Sequence, residues 1–199
     1  GAGAGGTIKI ISSDQPGGTI TANGGSGGQG WCNYGGDGAR GIIIISLAYS
    51  GPTWPVSTDG SDDNDGSEES PFATIQQGID ASSDGDTVLV QTGTYVENIN
   101  YNGKNIVVMG QNRETTIIDG NNNDRLVTIT EDSPNAVLST ITLQNGNNTS
   151  GAAIFIEDQA SIFTIRDCII KDNNGYSSII HIDNSNVEIH TTLIINNTC

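Results

Sequence analysis

Ile154-Phe155-Ile156 and Ile180-His181-Ile182 stand 26 residues apart, and Phe163-Thr164-Ile165 and Val187-Glu188-Ile189 stand 24 apart. A third series runs Ile141-Thr142-Leu143-Gln144-Asn145, Ile169-Ile170-Lys171-Asp172-Asn173 and Leu193-Ile194-Ile195-Asn196-Asn197. Within these runs every second residue is aliphatic, which turns one face of an extended segment inward. The branched Val, Ile and Thr that fill them suit a pleated surface. Asn, Asp and Gly punctuate the runs, as turns require. A repeat of this length defines a solenoid, because one thin coil buries its apolar face only by stacking on the next. An antiparallel sandwich could use the same short strands, but has no reason to repeat at this period. The spacing puts Asn145, Asn173 and Asn197 in equivalent turns, where stacked amides form a ladder.

Glycine divides the chain unevenly: residues 1–60 hold 17 of the 27. Gly51, Pro52 and Pro55 break regular structure, which suggests three parts. Residues 1–50 read as a glycine-packed β segment, with runs such as Thr7-Ile8-Lys9-Ile10-Ile11 too aliphatic to stay in water. Residues 51–86 read as an acidic loop and a capping helix, and residues 87–199 as the coils. The predicted helix opens at Ser70 as N-cap and Pro71 as first residue, with Phe72, Ile75 and Ile79 on one face. It should plug the first coil. Leu193-Ile194-Ile195 is a full-strength core strand with no capping segment after it. Further coils, another subunit or a partner should cover that edge. Gly1 in place of Met suggests a removed signal or a fragment.

The net charge of −16, with seven Lys and Arg, opposes nucleic acid and anionic membranes, both of which need clustered basic residues. No stretch approaches 18 consecutive apolar residues. Asp59, Asp62, Asp63 and Asp65 lie in one acidic loop and offer the hard oxygen ligands Ca²⁺ takes. The helix-loop-helix calcium spacing fails there: counting back from Gly66 makes Ser61 the first position and Phe72 the twelfth. A solvated acidic turn is the alternative. Arg166 and Asp167, with Glu188 and His190 one coil later, are the candidates for acid/base chemistry on an outer face. Arg166 and Glu188 are expected as neighbours on adjacent coils, and the competing reading is a solvated face with ion pairs. The three cysteines form no metal-binding pattern. They stay free, or Cys32 and Cys199 enter a disulfide or interchain link in an oxidising compartment.

Val56-Ser57-Thr58-Asp59-Gly60-Ser61-Asp62, Gly66-Ser67, Ser70-Pro71-Phe72-Ala73-Thr74-Ile75-Gln76-Gln77, Gly85-Asp86-Thr87-Val88-Leu89-Val90 and Gly93-Thr94-Tyr95-Val96-Glu97 together resemble the opening of right-handed parallel β-helix proteins of the pectin-lyase-like superfamily. The resemblance covers about residues 54–199. It implies an all-β right-handed parallel β-helix, but it does not fix one activity. That superfamily includes lyases, hydrolases, esterases, adhesins and structural fibres, and no catalytic motif of theirs transfers residue by residue. The glycine-rich front resembles segments that precede such helices in large secreted bacterial surface proteins.

The expected function is therefore an extracellular or cell-surface structural or adhesive module, non-enzymatic, that self-associates into a fibre or layer. The alternatives are a carbohydrate-active enzyme and a calcium-dependent module that binds polysaccharide.

Overall fold

The computed structural model describes residues 51–199 except 131, 132, 134, 159 and 160. The glycine-rich segment 1–50 and Cys32 lie outside the described residues.

Strand β1 (Thr53–Val56) leads through the acidic loop to helix α1 (Ile75–Ala81). The first coil holds β2 (Thr87–Val90), β3 (Gly93–Tyr95) and β4 (Ile99–Asn100). The second holds β5 (Val107–Gly110), β6 (Thr116–Asp119) and β7 (Val127–Ile129). The third holds β8 (Val137–Ser139), β9 (Thr142–Gln144), β10 (Asn147–Asn148) and β11 (Ile154–Glu157). The fourth holds β12 (Ile162–Arg166), β13 (Ile169–Lys171), β14 (Asn174–Gly175) and β15 (Ile180–Asp183). Strands β16 (Asn186–His190) and β17 (Leu193–Ile195) begin a fifth.

Like strands of successive coils pair in parallel, giving sheets ordered β1-β2-β5-β8-β12-β16, β3-β6-β9-β13-β17 and β4-β7-β11-β15, with β10-β14 at a corner. The fold is a parallel β-helix, and right-handed winding is the sense that parallel crossovers adopt. Its core is a set of columns. Val88, Val108, Leu138, Ile165 and Ile189 stand in register. Tyr95, Ile118, Leu143, Ile170 and Ile194 form a second column, and Ile129, Ile156 and Ile182 a third. Burial holds down each column until its last rung, where Ile182, Ile189 and Ile194 are 45%, 42% and 49% exposed.

Corners are made by left-handed backbone, mostly at Asn and Asp, including Asn102, Asn121, Asn145, Asp158, Asp172 and Asn184. Short polar side chains tolerate that region. One corner departs: Thr140, Asp167 and Thr191 follow the paired residues Ser139, Arg166 and His190, and their φ values are 57°, 52° and 47°.

Helix α1 begins later than expected. Its N-cap is Thr74, not Ser70, and Thr74 Oγ1 accepts from Gln77 N at 3.2 Å. Phe72 is buried but pairs with Val56 as an extended bridge. The reason lies in the acceptors. Asp62 Oδ1 takes the amides of Ala73 and Thr74 at 2.9 Å each. Glu97 takes those of Ile75 and Gln76 at 2.9 and 3.0 Å. The free N–H groups of a helix start are thus met by two side chains from elsewhere. At the other end, Lys104 Nζ donates to the carbonyls of Ile79, Asp80 and Ser82 at 2.7–2.9 Å. Each charge suits the helix end it faces. Ile75 and Ile79 are fully buried. Gly78 permits the approach, since a Cβ there would stand 2.8 Å from Val88 Cγ1.

Tyr95 ties the first coil to β1: its hydroxyl donates to the carbonyls of Gln91 at 3.0 Å and Val56 at 3.2 Å. Burial first, then the charge of Glu97, pushes the phenol up to about 12. The folded state holds this proton more tightly than the unfolded chain, whose phenol titrates near 10. The stabilisation is complete below about pH 10 and is lost as pH rises through about 12. Thermal melts from about pH 8 upward should fall in midpoint over that window, and Tyr95→Phe should flatten the fall. Equal slopes for the two proteins would contradict the assignment.

Candidate functional site

The outer face of the sheet β4-β7-β11-β15 gathers the most chemically varied side chains. Strands β11 and β15 pair Ile154 with Ile180 and Ile156 with Ile182 inward. The same register stacks Phe155 on His181 and Glu157 on Asp183 outward. The Phe155 and His181 rings are stacked, 4.7 Å apart and 11° from parallel. Arg125, from the preceding coil, lies over the Phe155 ring at 4.0 Å and donates to Asn148 Oδ1 at 3.2 Å. With an arginine from one neighbouring coil and a histidine from the other against it, Phe155 is a spacer rather than a free platform for a sugar ring. His181 Nδ1 is 2.9 Å from Ser150 Oγ. One ligand atom from each of Glu157, His181 and Asp183 lies within 4.8 Å of the others. Glu157 and His181 are half-buried and Asp183 is exposed.

A second feature is an open cleft of about 280 Å³ lined by Val96, Glu97, Asn98, Asp119 and residues 120–123. Asp119 is occupied: its carboxylate accepts from Gln144 Nε2, Asn145 Nδ2 and Asn121 N at 2.8–2.9 Å. Burial raises the Asp119 pKa, but these bonds outweigh it, and the net shift is downward. Glu97 behaves oppositely. Burial raises its pKa, and its two amide partners only partly offset that.

The acid/base candidates lie together at the rim of the β12–β16 pairing, with Arg166 and Glu188 on neighbouring strands. Arg166 pairs in register with His190, and Glu188 with Thr164. Glu188 therefore sits two residues from the level of Arg166, and its Oε2 meets His190 Nε2 at 3.1 Å. Both partners are more than half exposed, so the pair is a solvated contact of small energetic weight. Asp167 occupies the left-handed corner next to Arg166.

In the acidic loop, the carboxylates of Asp62 and Asp65 accept backbone amides. Asp62 binds the two amides above and Thr74 Oγ1 at 2.9 Å. Asp65 Oδ1 accepts from Ser67 N at 3.0 Å, and hydrogen bonds to Ser67 lower its pKa. The amides of Asp59 and Asp63 bond Ser57 Oγ and Ser61 Oγ at 3.3 Å. Each forms a local turn, and among the described residues the carboxylates that converge with a histidine are Glu157 and Asp183 instead.

The amide ladder holds over two coils. Asn173 Nδ2 donates to Asn197 Oδ1 at 3.0 Å and to Leu143 O at 3.1 Å, and Asn197 Nδ2 donates to Ile170 O at 2.9 Å. Asn145 stands outside it. The register pairs Lys171 with Gln144, so Asn173 corresponds to Gly146, whose amide donates to Asn173 Oδ1 at 2.7 Å. A Cβ at Gly146 would stand 2.1 Å from Ala152 O, so the ladder position cannot hold an asparagine there. Cys168 is fully buried, and burial raises its thiol to about 11, which leaves it unreactive. Cys199 is exposed and makes no disulfide among the described residues.

Glu157 and Asp183 were missed by the sequence reading. Their signal was present in the 26-residue offset of β11 and β15, which repeats outward residues as faithfully as inward ones.

The family described as "Protein of unknown function (DUF1565)" matches residues 58–102, from the acidic loop through helix α1 to the first coil. The "Uncharacterized protein YwoF" of Bacillus subtilis (strain 168) is 27% identical over 157 residues, covering 65% of this chain and 32% of that protein. The chain thus spans about a third of that relative's length. No solved structure matches. These likenesses agree with a parallel β-helix and carry no activity with them.

Proposed function

We propose that the chain is a non-enzymatic structural or adhesive β-helix module of the cell surface or extracellular space, whose apolar edge at β15, β16 and β17 is covered by further coils or by a second copy. The observation that carries this reading is the uncovered end of the core. Ile182, Ile189 and Ile194 continue buried columns yet are 42–49% exposed, with Leu193 at 46% and Ile195 at 38% beside them. Fully burying one such side chain is worth about 1.5–3 kcal/mol. Strands β15, β16 and β17 are also sheet edges, whose unpaired backbone groups accept further strands. The opposite end is covered by helix α1, which packs on β1, β2 and β4. Where a second copy does the covering, tail-to-tail contact buries both apolar edges at once, as an isologous interface does. A head-to-tail fibre would have to stack on the helix. The resemblance to pectin-lyase-like proteins and the glycine-rich front support the surface location.

Sedimentation should show a dimer that dissociates on dilution, and Ile194→Lys should shift it to monomer. Ile194 stacks only on Ile170 in its column, so a thermal midpoint near that of the wild type checks that the substitution leaves the coils folded. If these 199 residues stay monomeric at every concentration, the second-copy reading is overturned.

A second reading, a glycan-binding module, is favoured by the Asn- and Asp-rich cleft beside Asp119. Retention on immobilised polysaccharides, lost in Asn122→Ala and Asn123→Ala, would support it.

A further inference from the structure

We propose that Glu157, His181 and Asp183 form a binding site for a divalent transition cation of the zinc class. The ligand atoms already lie within 4.8 Å of one another. A shared tetrahedral ion, with bonds of about 2.0–2.2 Å, needs neighbouring ligands roughly 3.4 Å apart. Side-chain rotation closes that difference without moving the strands.

Three features separate this place from the many surface carboxylates. One ligand is an imidazole, which suits zinc, copper, nickel and related ions, whereas Ca²⁺ takes oxygen. The imidazole is also held in place: Phe155 covers one ring face at 4.7 Å, and Arg125 backs Phe155 at 4.0 Å. Finally, Ser150 Oγ engages Nδ1 at 2.9 Å, which leaves Nε2 to ligate. A hydrogen bond on the non-ligating nitrogen is how metal-bound histidines are oriented. Arg125 belongs to the coil before Phe155 and His181 to the coil after it, so the aromatic ring stands between the guanidinium and the cation. Three protein ligands leave a fourth position for water or an exogenous donor.

The site bridges two coils: Glu157 comes from β11, and His181 and Asp183 come from β15. In the unfolded chain Glu157 is 24 and 26 residues from the other two, so binding favours the folded state. The ion would therefore pin the fourth coil, next to the uncovered end, to the third.

Zinc chloride titrated calorimetrically into the full chain should give one site, and the thermal midpoint should rise by about a few degrees. Calcium chloride at the same concentration should do neither. His181→Gln and Asp183→Asn should each weaken zinc binding by about tenfold or more. His190→Gln, which alters the other histidine of the chain, should leave it unchanged. Asp183 is exposed, so Asp183→Asn tests the site even if His181→Gln disturbs the ring stack. The proposal is overturned by no binding at millimolar zinc, by wild-type affinity in both site variants, or by loss in His190→Gln.

Discussion

Phe163→Ala should lower the unfolding free energy by about 3–5 kcal/mol, the largest single-residue effect expected in the coils. Phe163 is fully buried on β12. Its ring meets Tyr101 edge-on, with centroids 5.1 Å apart and planes at 83°. Such a pair adds about 0.5–1.5 kcal/mol beyond burial. Tyr101 is itself fully buried and donates its hydroxyl to Val137 O at 2.9 Å. The two rings therefore join the end of the first coil, the third coil and the fourth. Alanine would leave a void that a close-packed column cannot collapse to fill. Phe163→Leu keeps most of the volume and should lose only about 1–1.5 kcal/mol. Urea unfolding followed by circular dichroism measures both. A loss under about 1 kcal/mol for Phe163→Ala would mean that the coils do not share a packed interior.

Removing the Glu97 carboxylate should be the most damaging change outside the columns. Glu97→Ala leaves the amides of Ile75 and Gln76 without their acceptors. Hydrogen bonds to a charged group are worth about 1.5–3 kcal/mol each, and water reaches part of this site, so a total of about 2–4 kcal/mol is expected. Glu97→Gln should recover about half, because an amide side chain offers one oxygen to two donors. Asp62→Ala, more open to water, should cost about 1 kcal/mol, in the range of an ordinary helix cap. Amide exchange at Ile75 and Gln76 gives a local readout. Unchanged protection of both in Glu97→Ala would show that the carboxylate does not hold the helix start.

The columns were legible because inward positions are filled by apolar side chains, mostly aliphatic, and the 26- and 24-residue offsets at β15, β16 and β17 agree with the register. The slip at Asn145 shows where that reading stops. Ile141 and Ile169 look equivalent, but Ile169 pairs with Thr142. Register follows the inward pair Leu143 and Ile170, while the residue beside it differs between coils: Thr142 is buried and donates its hydroxyl to Arg113 O, and Ile169 is half-buried. The helix start was misplaced for a different reason. Ser70-Pro71 has good local chemistry for a cap, but its competitors, Asp62 and Glu97, come from 12 and 22 residues away from the amides they bind. Composition counts the carboxylates of the acidic loop but does not show that two of them, Asp62 and Asp65, accept backbone amides. The cluster of Glu157, His181 and Asp183 went unread because attention to the buried face of each strand discards its other half.

The corner at Thr140, Asp167 and Thr191 carries a wider lesson about how this molecule keeps its shape. Threonine is branched next to the backbone and resists the left-handed region, yet it takes the same bend as the aspartate between the two threonines. The bend there is dictated by the rungs above and below, not by the preference of the residue that makes it. A scaffold governed this way can let its corners drift in sequence while its outline persists.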